Sequence, residues 1–324
     1  MAKSENQQYL ALMCRFLAMP RQSCALALAA ICIGSGAFGA PMHLRRIADG
    51  VYEFQGAIAL MDRANSGAIA NLGVVIGNKG SAVIDTGGSV KEGRELLSAI
   101  RAISKKPVLY VINTHVHPDH IFGNAAFLGL GATFVGHANL PRAMAAQGPY
   151  YLKSFLPAMG HRLLADVKIV PPTLLVKDHR TLDLGGRKLA LKTWAASHTD
   201  TDITIEDEKT KVLFAGDLLF VSHIPVIDNS LKGFILDTQR LQKQDARVVV
   251  PGHGPIPGDW HRAVADERHY FDVLQADLKA SLQHGLGMRA AVRSAGSSQA
   301  HKWKLFDDYN KRNATTAYAE LEWN

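Results

Sequence analysis

Short β-branched runs alternate with stretches of helical spacing along this 324-residue chain, and a histidine or an aspartate stands just beyond the end of four of those runs. A third observation is the stretch THVHPDH, which packs three histidines and an aspartate into the positions from His115 to His120. Together they predict an α/β fold in which rigid strands present chemistry-bearing loops on one edge.

The elements follow in order. GVYEF (50–54), NLGVVIG (71–77) and SAVIDTG (81–87) read as strands separated by glycine-containing turns. VKEGRELLSAIRAI (90–103) carries apolar residues at helical spacing. PVLYVIN (107–113) is a strand that runs into the histidine cluster, and IFGNAAF (121–127) is expected to be a helix beyond it. RKLALKTW (187–194), DITIED (202–207), KVLFAG (211–216) and ARVVVPG (246–252) complete the strands; His198, Asp217 and His253 follow the first, third and fourth of these.

Composition narrows the class. At 47% hydrophobic and 20% charged residues the chain is an ordinary globular protein, not a disordered or membrane-bundle one. Cys14, Cys24 and Cys32 all lie before residue 40, so no disulfide braces the rest. That same segment has a basic start, the apolar run CALALAAICI and the small-residue site Ala37-Phe38-Gly39, and is expected to be a secretory signal over 1–39, with Met19 an alternative start. Its apolar run is far short of the roughly 20 residues needed to span a bilayer, so an exported, periplasmic protein without a stable membrane span after cleavage is expected. Removing 1–39 takes away Lys3, Arg15, Arg21 and Glu5, which lowers the net charge from +7 by two to +5. The remaining positive residues are dispersed, which argues against nucleic acid and for a small or peptide-like substrate. The expected organisation is a catalytic domain over 40–285 and a C-terminal helical extension, 286–324, packed on it.

The histidine cluster implies a cation. In an extended segment His115 and His117 point to the same side, while Pro118 turns the chain so that Asp119 and His120 address a neighbouring position. Imidazole and carboxylate donors suit zinc, with iron and manganese not excluded, and no thiolate is present to decide among them. Isolated His137, His161 and His179 read as structural. Asp85, in VIDTGG, starts a turn. His223, Asp228, Asn229 and Lys232 follow Asp217 closely enough to edge a substrate pocket.

HxHxDH, a lone histidine after a strand, the aspartate of AGD and the histidine of PGHG resemble, in order and loop position, the metallo-β-lactamase-fold superfamily over nearly all of residues 45–285. The resemblance implies an αββα sandwich of two mixed β-sheets flanked by helices, with two metal ions on one rim. His115, His117 and His198 would hold the first ion, Asp119, His120 and His253 the second, and Asp217 would bridge them. Asp85 would support the ligand loop from behind. The bridging aspartate is a feature of glyoxalase II-like hydrolases and not of the β-lactamases proper. LLFVSHIPVIDNSLKGFI (218–235) and the C-terminal WKLFDDYNKRNATTAYAELEWN resemble the quinoprotein relay system zinc metallohydrolases, exported proteins associated with quinoprotein dehydrogenases and related to a protein of sulfur-oxidation clusters.

Two divalent ions sharing a water bring its pKa down towards about 7, so the expected activity is hydrolysis of an ester, thioester, amide or lactam carbonyl, with two Zn2+ per chain and Asp119 orienting the attacking hydroxide or passing on its proton. The alternatives are a glyoxalase II-like thioesterase or β-lactamase-like hydrolase and, outside enzymes, a periplasmic metal-dependent maturation or binding factor for a quinoprotein. The aromatic residues of the C-terminal stretch are expected to pack a terminal helix and not to meet ligand.

Overall fold

The computed structural model describes residues 42–323; the expected signal segment lies outside them. Strands β1 (Arg45–Ala48), β2 (Val51–Phe54), β3 (Leu72–Ile76), β4 (Ser81–Ile84), β5 (Val108–Ile112), β6 (Thr133–His137) and β7 (Leu174–Val176) form one sheet in sequential order. It is antiparallel from β1 to β4 and parallel from β4 to β7. The second sheet has the order β12-β11-β10-β9-β8, from β8 (His179–Asp183), β9 (Lys188–Thr193), β10 (Ile203–Asp207), β11 (Val212–Phe220) and β12 (Val248–His253). Only β11 and β12 are parallel in it.

Period-two patterning explains the layers. In β3, Val75 faces the other sheet while Leu72 and Val74 face outward; in β11, Val212 and Phe214 face inward while Leu213 and Ala215 face outward. The inter-sheet core joins Val75, Ile84, Ile112 and Val135 to Leu191, Ile205, Phe214 and Val250. Helix α1 (Val90–Ile103), capped by Ser89 accepting the Glu92 N–H, covers the outer face of the first sheet through Leu96, Leu97 and Ile100. Beyond β5 come the one-turn helix α2 (Pro118–Ile121), α3 (Leu140–Met159) and the short α4 (His161–Leu164). Helices α5 (Leu231–Leu241) and α6 (Trp260–Gln283) cover the second sheet through Leu241, Trp260 and Val264. The short α7 (Met288–Val292) and the terminal α8 (Phe306–Glu322) join α5 and α6 in a further apolar cluster that includes Phe234, Tyr270, Phe271, Leu274 and Tyr318. The chain thus forms the expected sandwich of two mixed sheets flanked by helices.

Two details differ from the sequence reading. Residues 122–127 form a 3-10 helix and only 118–121 an α-helical turn. Strand β11 runs on to Phe220, so Asp217 lies within it, and His253 is the last residue of β12.

Candidate metal centre

The bend after β5, strand β11, the end of β12, the turn after β9 and the α2 turn bring seven side chains to one rim. Donor atoms of His115, His117, His198 and Asp217 form one group, and those of Asp119, His120 and His253 a second, each within 4.8 Å. In the first, His117 Nδ1 lies 3.1 Å from His115 Nε2 and 2.9 Å from His198 Nε2, which are 3.3 Å apart. In the second, His253 Nε2 and His120 Nε2 lie 3.2 and 3.6 Å from Asp119 Oδ2. Asp217 spans both groups: Oδ2 is 3.2 Å from His198 Nε2 and 3.4 Å from His253 Nε2, and Oδ1 is 3.2 Å from His120 Nε2.

Each histidine has its remote nitrogen fixed. His120 Nδ1 meets Asp85 Oδ2 at 2.8 Å, His117 Nε2 meets Asp228 Oδ2 at 2.7 Å, and His198 Nδ1 meets the Val226 carbonyl at 2.7 Å. His253 Nδ1 meets the Ile69 carbonyl at 3.0 Å, and His115 Nδ1 meets Thr114 Oγ1 at 3.0 Å. A proton held on the remote nitrogen leaves the other nitrogen's lone pair facing the cluster, the tautomer a metal ligand needs.

The residues fit a divalent metal. His120 Nε2 and Asp217 Oδ1 are buried and lack any hydrogen-bond partner among the described residues, although only 3.2 Å apart. Two buried polar atoms left so would cost about 1–3 kcal/mol each unless a third group serves both. Three nitrogens mutually about 3 Å apart match the donor spacing around a tetrahedral ion with bonds of about 2 Å. All donors are nitrogen or oxygen, suited to zinc, iron or manganese.

Charge tells the same story. Burial, the largest single effect, disfavours every charged form here, yet the carboxylates together outweigh it: Asp217, Asp85 and Asp119 raise the pKa of His120, Asp217, Asp202 and Asp228 raise that of His198, and Asp217 with Asp119 lifts His253 to about 9. Burial and His120 push His115 well down. Against burial, the surrounding histidines hold Asp217 well below the carboxylate range, and His120 and His253 bring Asp119 to about 2. Two buried carboxylates thus draw positive charge into the cluster, as protons or, in their place, as a cation.

Over the cluster opens a cavity of about 660 Å³. His117, Asp119, His198, Asp217 and His253 line its floor; Leu60, Met61, Ile69, Phe155 and Val226 form apolar walls, with Tyr151 from α3 and Tyr309 and Arg312 from α8. Of the residues expected to edge a pocket, His223 and Asp228 line this cavity and Asn229 an adjoining one of about 330 Å³. Lys232 lines neither; it sits in the first turn of α5, whose backbone N–H groups bond to Glu320 of α8. Asp228, besides edging the cavity as expected, binds His117 and Arg312. Expected to pack only, the C-terminal aromatics divide: Trp303 and Tyr318 are buried in the core, but Tyr309 lines the cavity. Sequence reasoning missed Tyr151, Phe155 and Arg312, which carry no motif.

A model of the metallo-beta-lactamase superfamily matches residues 66–253, more than half of the chain, and the chain belongs to that superfamily. It is 30% identical over 173 residues to the human (Homo sapiens) protein acyl-coenzyme A thioesterase MBLAC2, over 48% of this chain and 60% of that one. To a linear primary-alkylsulfatase of a Pseudomonas species it is 46% identical over 50 residues, 15% of this chain and 10% of that one. The chain therefore spans less than two thirds of the length of these curated relatives. A metallo-beta-lactamase from Pontibacter korlensis is similar in fold with a TM-score of 0.58 and 24% identity, over 71% of this chain and 98% of that one. The sec-alkylsulfatase Pisa1 from a Pseudomonas species gives a TM-score of 0.64 at 15% identity, over 86% of this chain and 50% of that one.

Proposed function

We propose that this protein is a hydrolase with two divalent ions, zinc in the first instance, acting on a thioester or ester of an apolar acyl group. The observation that carries the reading is the convergence of seven donors in two groups, with every histidine's remote nitrogen fixed and Asp217 reaching both groups. His115, His117 and His198 would hold one ion, Asp119, His120 and His253 the other, with Asp217 between them. Bound there, the ions would supply a polarised carbonyl and a water acidic enough to serve as nucleophile near neutral pH.

The chain's own residues supply the rest. Asp119, ionised and at the cavity floor, accepts a hydrogen bond from the attacking water and so orients it. Burial lifts the hydroxyls of Tyr151 and Tyr309 well above the ordinary tyrosine range, so both remain protonated and able to donate to charge developing on substrate. His223 gives its Nδ1 hydrogen to the Ile224 carbonyl and is held neutral, at about 4, by burial and by His253. The walls formed by Leu60, Met61 and Phe155 suit an acyl chain and exclude water from it. The thioesterase relative supports the bond type.

The physiological setting proposed is export to the periplasm in service of a quinoprotein dehydrogenase system, supported by the apolar N-terminal segment and by the resemblance of residues 218–235 and 303–324. No helix among the described residues is long and apolar enough to cross a membrane.

The test is metal content by plasma mass spectrometry on the purified protein, with hydrolysis of acyl thioesters, acyl esters, alkyl sulfates and nitrocefin followed on the same sample. Two ions per chain with thioester or ester turnover lost on chelation is the expected result. Two ions with none of these substrates cleaved would move the role to a quinoprotein maturation or binding factor; alkyl sulfate as the sole substrate would overturn the acyl assignment; no ion bound after loading would overturn the metal centre.

A further inference from the structure

His117 differs from its neighbours in how it is held. The remote nitrogens of His115, His198 and His253 rest on Thr114, Val226 and Ile69, and that of His120 on Asp85. His117, the most exposed histidine of the first group with 12% of its side chain accessible against 1% for His198, depends on Asp228, a carboxylate in the loop after β11. A carboxylate there would swing freely unless something opposed it. Its other oxygen, Oδ1, is paired to the guanidinium of Arg312 on α8.

The loop carrying Asp228 is itself stitched to the C-terminal segment. Lys304 donates its N–H to the Ser222 carbonyl at 2.8 Å and accepts from Ile224 at 3.1 Å. Asn313 accepts from the Ile227 N–H at 2.9 Å and donates to the Pro225 carbonyl at 2.6 Å. Between these ties lies Val226, whose carbonyl holds His198. Two of the three histidines of the first group are therefore oriented by a loop that α8 fixes, whereas the second group (Asp119, His120, His253) makes none of these contacts. The α8 helix lies outside the residues 66–253 matched by the superfamily model.

We propose that Arg312 is a positioning residue for the first ion: by anchoring Asp228 it fixes the ring direction and tautomer of His117, so that the C-terminal helix sets metal affinity at the His115–His117–His198 group and not at the other. The inference rests on reading the cluster as a metal centre. Arg312 is half-exposed, so its replacement tests the brace without opening the core.

The experiment measures the stepwise Zn2+ affinities of the full-length protein by competition with a chromophoric chelator, for wild type, Arg312→Met, Arg312→Lys and Asp228→Asn, each checked for native circular dichroism. His253→Ala, which lacks a donor of the second group, identifies the step that belongs to it. Arg312→Met and Asp228→Asn are expected to weaken the first-group step by about 10–100-fold, the usual cost of removing a ligand's outer partner, and to leave the other step unchanged; Arg312→Lys, which keeps the charge, recovers most of the loss. Wild-type affinity at both steps in Arg312→Met, or an equal loss at both, overturns the proposal. If Arg312→Met does not fold, Arg312→Gln decides between the same outcomes. Turnover is not read, so a protein that binds two ions and cleaves nothing refutes the hydrolytic reading while leaving this one tested; wild type that binds no zinc refutes both.

Discussion

Replacing Asp85 by asparagine should disable the second ion position without disturbing the backbone. Asp85 sits at φ +57°, a left-handed conformation that asparagine tolerates nearly as well as any non-glycine residue. Its buried carboxylate accepts three hydrogen bonds: the Thr114 N–H to Oδ1 at 2.8 Å, and the Thr114 hydroxyl at 2.7 Å and His120 Nδ1 at 2.8 Å to Oδ2. An amide offers only one acceptor oxygen. The backbone N–H of Thr114 can do nothing but donate, so the amide oxygen stays with it and the amide NH2 faces His120. His120 Nδ1 must then accept, which moves its proton to Nε2, the atom 3.2 Å from Asp217 Oδ1 that should face the ion. The amide NH2 accepts from neither the Thr114 hydroxyl nor His120, so both bonds to Oδ2 are lost or reversed; the one on His120 alone is worth about 1.5–3 kcal/mol, which converts to roughly 10–100-fold in affinity at 1.4 kcal/mol per tenfold. Chelator competition gives the affinity, and nitrogen-15 NMR of the metal-free protein gives the His120 tautomer. Unchanged affinity with the proton still on Nδ1 would refute this account of Asp85.

The carboxylate of Asp217 can be attacked from two sides. Asp217→Asn should lower metal content and reduce turnover by about 100-fold or more, because it removes the negative charge shared by both ion positions; full occupancy at an unchanged rate would exclude the bridging assignment. Gly252→Ala should reproduce that phenotype without touching a donor, since a Cβ there would stand 1.9 Å from Asp217 Oδ1, and normal zinc content in the alanine variant would count against the placement of Asp217. Asp237 gives a pH test at a carboxyl that is not a candidate ligand: burial lifts it to about 6, only partly offset by Ser197 and Arg240, and one of its oxygens has no partner among the described residues. Below about 3.8 both folded and unfolded chains hold this proton; from there to about 6 only the folded chain does. Stability is therefore lost as pH rises through that window, by about 1–3 kcal/mol once solvent screening is allowed for. Asp237→Asn should gain about 1–3 kcal/mol in urea unfolding at pH 8 and little at pH 4; equal effects at the two pH values would show that the carboxyl is not the cause.

Much of the centre was legible in the sequence because its donors are placed by local geometry. A bend just past β5, in place of the expected extended segment, brings His115 and His117 into one group; a proline turn re-aims Asp119 and His120, β11 carries Asp217 within it, and the turn after β9 and the end of β12 present His198 and His253. The glycine of PGHG was visible as a residue, but its reason was not: the approach of Asp217 leaves no room for a side chain at Gly252. Helix α3, which brings Tyr151 and Phe155 to the cavity, was hidden because Gly148, Pro149 and Pro157 interrupt its pattern.

The sequence by itself determined an α/β arrangement of strands and the identity and order of the candidate ligands, since strand periodicity and donor chemistry are written in adjacent residues; the sandwich of two mixed sheets was implied by the family resemblance of HxHxDH, AGD and PGHG. Tertiary structure alone decided what stands behind and above them: Asp85 on His120, Asp228 and Arg312 on His117, Tyr309 over the floor. These contacts join residues tens to hundreds of positions apart, and a polar side chain with no local partner shows no sign in the sequence of the distant group it will meet when the sheets and the C-terminal helix pack.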